Sequence, residues 1–234
     1  MGRHRQRKDR NSLEAGQATY DDLLTRQDRK QRTRDSLMDA ALTLMSQGRP
    51  FGSLSLREIT REAGVVPTAF YRHFRDMDEL GLALVEGCGL TLRRLLREAR
   101  QAGVPTTDII RSSVAIYQRY VEENPRYFLV AARERSTGAP LMRYAIRTEI
   151  NHFTNEMAQD LRDLRLLPQL SMESLRMICG LVVNIMLNAA SDILDLPSGQ
   201  PQAEQELVDN FVRQLTLIFL GAGQWRERKP QGET

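Results

Sequence analysis

The chain has 234 residues, of which 41% are hydrophobic, enough for one large domain or a small one joined to a larger one, each with a buried core. Its two cysteines, Cys88 and Cys179, lie far apart in apolar sequence and suit buried thiols in a reducing compartment rather than a disulfide framework or a metal site. The formal net charge is only +3, but it is uneven: residues 1–34 hold ten Lys or Arg against five Asp or Glu, residues 35–80 five against seven, and the remainder eighteen against eighteen.

A basic leading arm is a common electrostatic footprint of nucleic-acid binding, and equally the composition of a solvated tail. The N-terminus is charged where a signal peptide is apolar, and Gln6 stands where a myristoylation signal needs Ser or Thr. The longest apolar run, Met177 to Ala190, is interrupted by Gly180, Asn184 and Asn188. The expectation is a cytoplasmic protein without a membrane partner.

Residues 1–25 lack helical periodicity and are rich in Arg, Gln, Asp and Gly, which predicts a disordered basic arm. From residue 26 the pattern is helical. Leu37, Ala40, Ala41, Leu44 and Met45 recur at three- and four-residue steps, and Gly48 is placed to end that first helix. Ser55 and Glu58 form a capping box, so a second helix starts near Leu56 and stops at Gly64. Pro67 suits the first position of a third helix, and Asp76 with Glu79 caps a fourth, which confines the third to about residues 67–74.

A helix of two turns is held by packing rather than by its own stability. Phe70 and Phe74 supply a face for Leu44, Leu56 and Ile59, which leaves Thr68, Ala69, Tyr71, Arg72 and His73 facing outward. Two short helices meeting at a glycine turn match the helix-turn-helix, whose second helix enters the major groove. Thr68 and Ala69 can reach base edges, Arg72 a guanine or a phosphate, and Tyr71 and His73 phosphate oxygens.

The wording of this segment carries a family resemblance. Thr33-Arg34 before Ala40-Ala41-Leu42, then Ser55-Leu-Arg-Glu-Ile59, Glu62-Ala-Gly-Val65 and Phe70-Tyr-Arg-His-Phe74, resemble the DNA-binding domain of TetR-family repressors. Leu56-Arg-Glu-Ile, Arg61-Glu-Ala-Gly64, Pro67-Thr68, Phe70 through Arg75, Asp78-Glu-Leu-Gly-Leu82 and the distant Arg133-Glu-Arg-Ser136 are similar to the FabR/DesT regulators of unsaturated fatty-acid synthesis. The resemblance implies an all-α fold of about nine helices and a homodimer on a palindromic double-stranded DNA operator. It adds Arg34, Ser53, Ser55, Pro67 and Arg75 to the expected DNA contacts. Val66, Pro67 and Met77 depart from the family pattern, Met77 standing where a phosphate-contacting lysine is frequent; Arg75 and the basic arm are the expected substitutes.

Beyond Leu80, breaks at Gly103 to Pro105, Asn124-Pro125, Gly138 to Pro140, Pro168 and Pro197 to Pro201 separate six more helices without strand-like alternation or repeats. The expected organisation is therefore an arm over 1–25, a helix-turn-helix domain over 26–80, a ligand-binding and dimerisation domain over 81–226 and a tail over 227–234. Tyr120 and Phe128 are among the aromatic residues able to line a core or a cavity. Asn184 and Asn188 share one face of the helix after Ser171, as an interhelical contact or as ligand-orienting amides. Arg133, Arg135, Arg143 and Arg147 read as a solvated face or as a clamp for phosphates; the resemblance implies a long-chain acyl-CoA or acyl carrier protein thioester as effector, with Arg133 and Arg135 in that clamp. Leu207, Phe211, Leu215 and Ile218 form the stripe expected at the dimer axis.

No cofactor, metal or catalytic set is expected. The only histidines, His4, His73 and His152, lack metal-ligand spacing, and His152 with Glu149 and Glu156 reads as an ion-paired surface. A repressor of a drug efflux or catabolic operon is the alternative reading, and a helical enzyme or lipid carrier a remote one.

Overall fold

The computed structural model describes residues 26–101, 106–197 and 199–226; the basic arm, the Gly103 to Pro105 break and the tail lie outside the described residues. Among the described residues there are nine α-helices and no strand. They are α1 (26–46), α2 (Leu56–Glu62), α3 (Pro67–Phe70), α4 (Met77–Gln101), α5 (Thr106–Glu123), α6 (Pro125–Thr137), α7 (Pro140–Asp163), α8 (Met172–Leu194) and α9 (Pro201–Gln224), with a 3₁₀ turn at Phe51–Ser53.

Proline at the first position opens α3, α6, α7 and α9, where its fixed φ and missing N–H fit a helix start. Gly48 at φ +92° and Gly64 at φ +67° close α1 and the α2–α3 turn in a conformation that a Cβ penalises. α3 is shorter than the sequence predicts. Its regular part stops at Phe70, and the chain continues through 3₁₀-type bonds, Arg72 N–H to Ala69 O at 3.2 Å and His73 N–H to Phe70 O at 2.9 Å, before Phe74.

Two hydrophobic cores share one long helix. The first gathers Leu37, Ala41, Met45, Ile59, Phe70, Phe74 and Leu80, and it also takes in Val130 of α6 and Met142 of α7. The second is built by α4, α5, α7, α8 and α9 around Val114, Tyr117, Val121, Leu175, Cys179, Phe211 and Leu215. α4 runs unbroken through the boundary expected at residue 80, so no flexible linker separates the recognition segment from the larger domain. α8 has the length and apolarity of a membrane span. Its composition has another cause, since α7 and α9 cover one side of it and bury Leu175, Ile178, Cys179, Val182 and Val183.

Candidate nucleic-acid interface and effector cavity

The helix-turn-helix is assembled from local signals that each satisfy a backbone group. Ser55 Oγ accepts from the Glu58 N–H at 3.3 Å, while the Glu58 carboxylate accepts from Ser55 N–H at 3.0 Å and Ser55 O–H at 2.8 Å. The Arg49 guanidinium lies 2.9 Å from the other Glu58 oxygen. Arg49 first, then the Ser55 hydroxyl and amide, hold the Glu58 carboxyl down at about 2, well below its ordinary range. At α4 the second cap is shifted by one residue: Asp76 Oδ1 accepts from Glu79 N–H at 2.8 Å, but Glu79 reaches back to the Arg75 amide at 2.6 Å rather than to its own cap residue.

These caps hold a short segment whose two sides differ sharply. Phe70 and Phe74 are fully buried, with rings 5.6 Å apart, whereas Pro67, Thr68, Tyr71, Arg72 and Arg75 are exposed and Ala69 is half-buried. Tyr71 is 65% exposed, with its ring and hydroxyl open to a partner. His73 is turned partly inward. Its Nδ1 is buried without a hydrogen-bond partner, and burial, followed by the charges of Lys30, Arg34 and Arg72, lowers its pKa, so a neutral ring is left with Nε2 as its contact atom.

Three of the expected DNA contacts have other work within the domain. Arg34 stacks its guanidinium 4.9 Å from the Phe74 ring centre and donates to Met38 Sδ at 3.1 Å. The Ser53 hydroxyl donates to Pro50 O at 2.8 Å and that of Ser55 to Glu58, so both serine protons are committed to the fold. Arg75 pairs with Asp76 at 2.9 Å but keeps most of its side chain in solvent, where it stays available to a phosphate.

In the larger domain a cavity of about 570 Å³ opens between α4, α5, α6, α7, α8 and α9. Leu92, Phe128, Phe153, Met157, Val183 and Leu215 represent its lining, and its volume suits one small organic molecule. Its few polar groups are mostly engaged: the Tyr117 hydroxyl donates to Met186 O at 2.6 Å and Thr216 Oγ1 to Val212 O at 2.7 Å.

Residues 37–84 match the family model for bacterial regulatory proteins of the tetR family, and residues 106–216 match the tetracyclin repressor-like C-terminal domain. The chain belongs to the TetR family. It is a DNA-binding transcriptional regulator. Solved structures agree in fold. The fatty acid degradation regulator FadR from Bacillus halodurans is 13% identical, with a TM-score of 0.62 over 83% of this chain and 97% of that one. A TetR-family transcription regulator from Shewanella sp. PV-4 is 17% identical, with a TM-score of 0.61 over 81% and 97%. A transcriptional regulator from Rhodococcus sp. Rha1 is 19% identical, with a TM-score of 0.60 over 83% and 97%.

In this TetR-family chain α6 joins the helix-turn-helix to the larger domain, and the arginine motif that resembles a ligand clamp is part of the joint. Arg133 Nη2 donates to Met45 O at 2.7 Å and Arg49 O at 3.0 Å, where it satisfies carbonyls at the end of α1. Glu134, with no exposed surface, accepts from the Phe51 N–H at 3.0 Å. At the other end of α6, Arg126 meets Asp39 at 2.6 Å and Thr43 Oγ1 at 2.8 Å. Phe128 and Ala131, on the same helix, line the cavity. The anionic clamp expected at Arg133 and Arg135 is therefore corrected: Arg133 faces the DNA-binding domain, Arg135 is exposed, and neither lines the cavity.

Other sequence assignments also move. Of the expected ligand residues, Phe128 lines the cavity, while Tyr120 lies behind it and donates to Cys88 O at 2.9 Å. Asn184 and Asn188 are exposed on the outer face of α8, away from the cavity lining. Phe211 and Leu215 are buried inside the protomer, and Leu207 and Ile218 are half-buried against the same core, so this stripe is internal rather than a dimer face. The helix period was legible but its direction was not, because α9 has apolar residues on both faces. Its exposed apolar residues are Leu217 and Leu220, and those of α8 are Met177 and Leu181.

Proposed function

We propose that this TetR-family regulator is a cytoplasmic homodimeric repressor that reads a palindromic operator with α3 and is released when an acyl-chain effector occupies the cavity. The observation that carries the DNA reading is the two-sided segment from Pro67 to Arg75, buried at Phe70 and Phe74 and open at Thr68, Tyr71, Arg72 and Arg75. Dimerisation uses the outer faces of α8 and α9, where Met177, Leu181 and Leu217 are exposed beside Gly180 and Gly221, whose positions have open space for a neighbouring helix. Two recognition segments about 34 Å apart then meet successive turns of one DNA face.

The release mechanism follows from α6. An effector pressing on Phe128 and Ala131 moves the helix that holds α1 through Arg126 and Arg133 and the following 3₁₀ turn through Glu134, which changes the spacing of the two recognition segments. The apolar cavity and the resemblance to FabR/DesT regulators support a long-chain acyl-CoA or acyl carrier protein thioester as effector, and unsaturated fatty-acid synthesis genes as targets. Catalysis has no part in this reading.

A mobility shift on the DNA upstream of its own gene tests the first half. Thr68→Ala and Arg72→Ala should each cost about 1–3 kcal/mol on the operator and relax preference at one or two base pairs per half-site, whereas Tyr71→Phe should weaken operator and random DNA alike. Unchanged selectivity in the Thr68 and Arg72 variants would remove α3 as the reading element. Oleoyl-CoA added to the shift tests the second half, and a response only to aromatic drugs would favour an efflux regulator.

A further inference from the structure

The cavity borders a ladder of charges between α4 and α7, buried at Arg93, Arg100 and Asp160 and part-exposed at Arg97 and Glu156. Arg93, Arg97 and Arg100 on α4 meet Glu149, Glu156 and Asp160 on α7: Arg93 pairs with Glu149 and, at 3.3 Å, with Glu156; Arg97 lies 2.8 Å from Glu156 and 3.5 Å from Asp160; and Arg100 pairs with Asp160. Gly89 permits this closeness, since a Cβ there would collide with the Glu149 side chain. Three positive groups face three negative ones, and two of them, Arg100 and Glu149, line the cavity. His152 stands 3.7 Å from Glu149 with more than half of its side chain in solvent, outside the balance.

Arg100 is nine-tenths buried, and both of its bonded nitrogens, Nε at 3.1 Å and Nη2, donate to the same Asp160 oxygen. Its Nη1 has no hydrogen-bond partner among the described residues, and neither has the hydroxyl of Ser113, which lines the same cavity from α5. The site therefore offers a spare donor and a hydroxyl, but no spare charge. An ionised ligand head would unbalance the ladder in a water-poor setting, where an unpaired charge is costly. A neutral acceptor would satisfy the spare Arg100 donor and leave the balance intact.

We propose that the cavity binds uncharged, hydrogen-bond-accepting apolar chains, an ester or thioester carbonyl or an alcohol, and selects against the ionised forms of the same chain. This rests on the reading of the cavity as the effector site. It limits an acyl thioester to its chain and carbonyl, so the phosphates of its carrier stay outside the cavity.

Titration calorimetry of the full chain at neutral pH with 1-decanol, decanoate and decylammonium holds the chain constant and varies only the head charge. The expected result is a decanol Kd at least about tenfold below that of either ion, equivalent to about 1.4 kcal/mol. Tighter binding of decanoate would show that the cavity reads an anion, and tighter binding of decylammonium that it reads a cation; either overturns the proposal. Ser113→Ala should weaken decanol several-fold, as should Arg100→Gln paired with Asp160→Asn, which keeps the ladder neutral. Undiminished decanol affinity in Ser113→Ala together with equal affinities across the head series overturns it even where the double variant fails to fold. Operator binding is measured on the same preparation. Loss of the shift refutes the repressor reading, whereas an intact shift with no decanol binding refutes only the cavity assignment.

Discussion

The helix-turn-helix and the larger domain use the same kinds of charged side chain in opposite ways. In the first, Arg75 and Asp76 are sequence neighbours that pair in solvent, and Ser55 with Glu58 and Asp76 with Glu79 act across three residues. In the second, Arg100 and Asp160 are 60 residues apart, and Glu134 reaches 83 residues back to Phe51. Short-range pairs set where helices begin and leave the outward surface free for a partner. Long-range buried pairs instead fix how helices lie against one another, and that geometry is what the proposed effector would have to change.

The sharpest way to break this contrast is to remove one member from each kind of pair. Arg100→Ala leaves the buried Asp160 with only the part-exposed Arg97 at 3.5 Å, and a broken buried pair typically costs about 3–5 kcal/mol. Asp76→Asn retains an acceptor for the Glu79 amide and loosens only an exposed pair, so the unfolding midpoint should not move measurably. Urea denaturation of both variants compares them directly. Equal losses would mean that the α4–α7 ladder contributes no more than surface charge.

This division explains what could be read from the residues alone. Gly48, Gly64, Pro67 and the Ser55–Glu58 box punctuate the first eighty residues because a cap or a turn is decided within a few positions. Pro125, Pro140 and Pro201 mark helix starts farther along for the same reason. The Arg133-Glu134 motif was legible as a feature but not as a joint, since its partners, Met45, Arg49 and Phe51, lie more than eighty residues away. The ladder left a trace that could have been used. Arg93, Arg97 and Arg100 recur at helical steps, and so do Glu149, Glu156 and Asp160; two complementary stripes on long helices are a candidate pair. Phe211 and Leu215 show the converse: periodicity identifies a stripe without saying whether it faces the protomer or a partner.

A middle case sharpens the comparison, because α6 joins the two regions. Arg133→Ala removes two hydrogen bonds at the end of α1 and leaves the Arg49 carbonyl unpaired, while the Met45 carbonyl keeps the Gly48 amide at 3.0 Å, at a cost of about 1–3 kcal/mol. The loss should fall on α1 to α3 rather than on the larger core. Hydrogen exchange should show faster opening at Leu37 to Met45 with unchanged protection around Leu175 and Cys179. Uniform acceleration through both cores would mean that α6 is an ordinary packing helix.

The smallest effect belongs to the α2 cap, where the sign of a pH dependence can be worked out. Glu58 titrates near 2 in the fold, held there mainly by the Arg49 guanidinium and then by Ser55, against an ordinary value of 4.5. A carboxyl depressed in the folded state contributes stability that is fully present above its unfolded pKa and is lost as pH falls toward the folded one. The contribution of Glu58 should therefore be constant above about pH 4.5 and vanish progressively toward pH 2. Glu58→Gln, which lacks the titrating group, should show a flatter midpoint-against-pH curve through that window, with the largest gap from the parent protein at neutral pH. Ser55→Ala removes the hydroxyl that accepts from the Glu58 amide and should cost about 0.5–2 kcal/mol at neutral pH. Because Ser55 also helps hold Glu58 ionised, part of that loss should disappear in acid, where the carboxyl is protonated in both proteins. Parallel curves for Ser55→Ala and the parent from pH 7 to pH 2 would show that the hydroxyl acts on the backbone alone, and that Arg49 by itself sets the Glu58 titration.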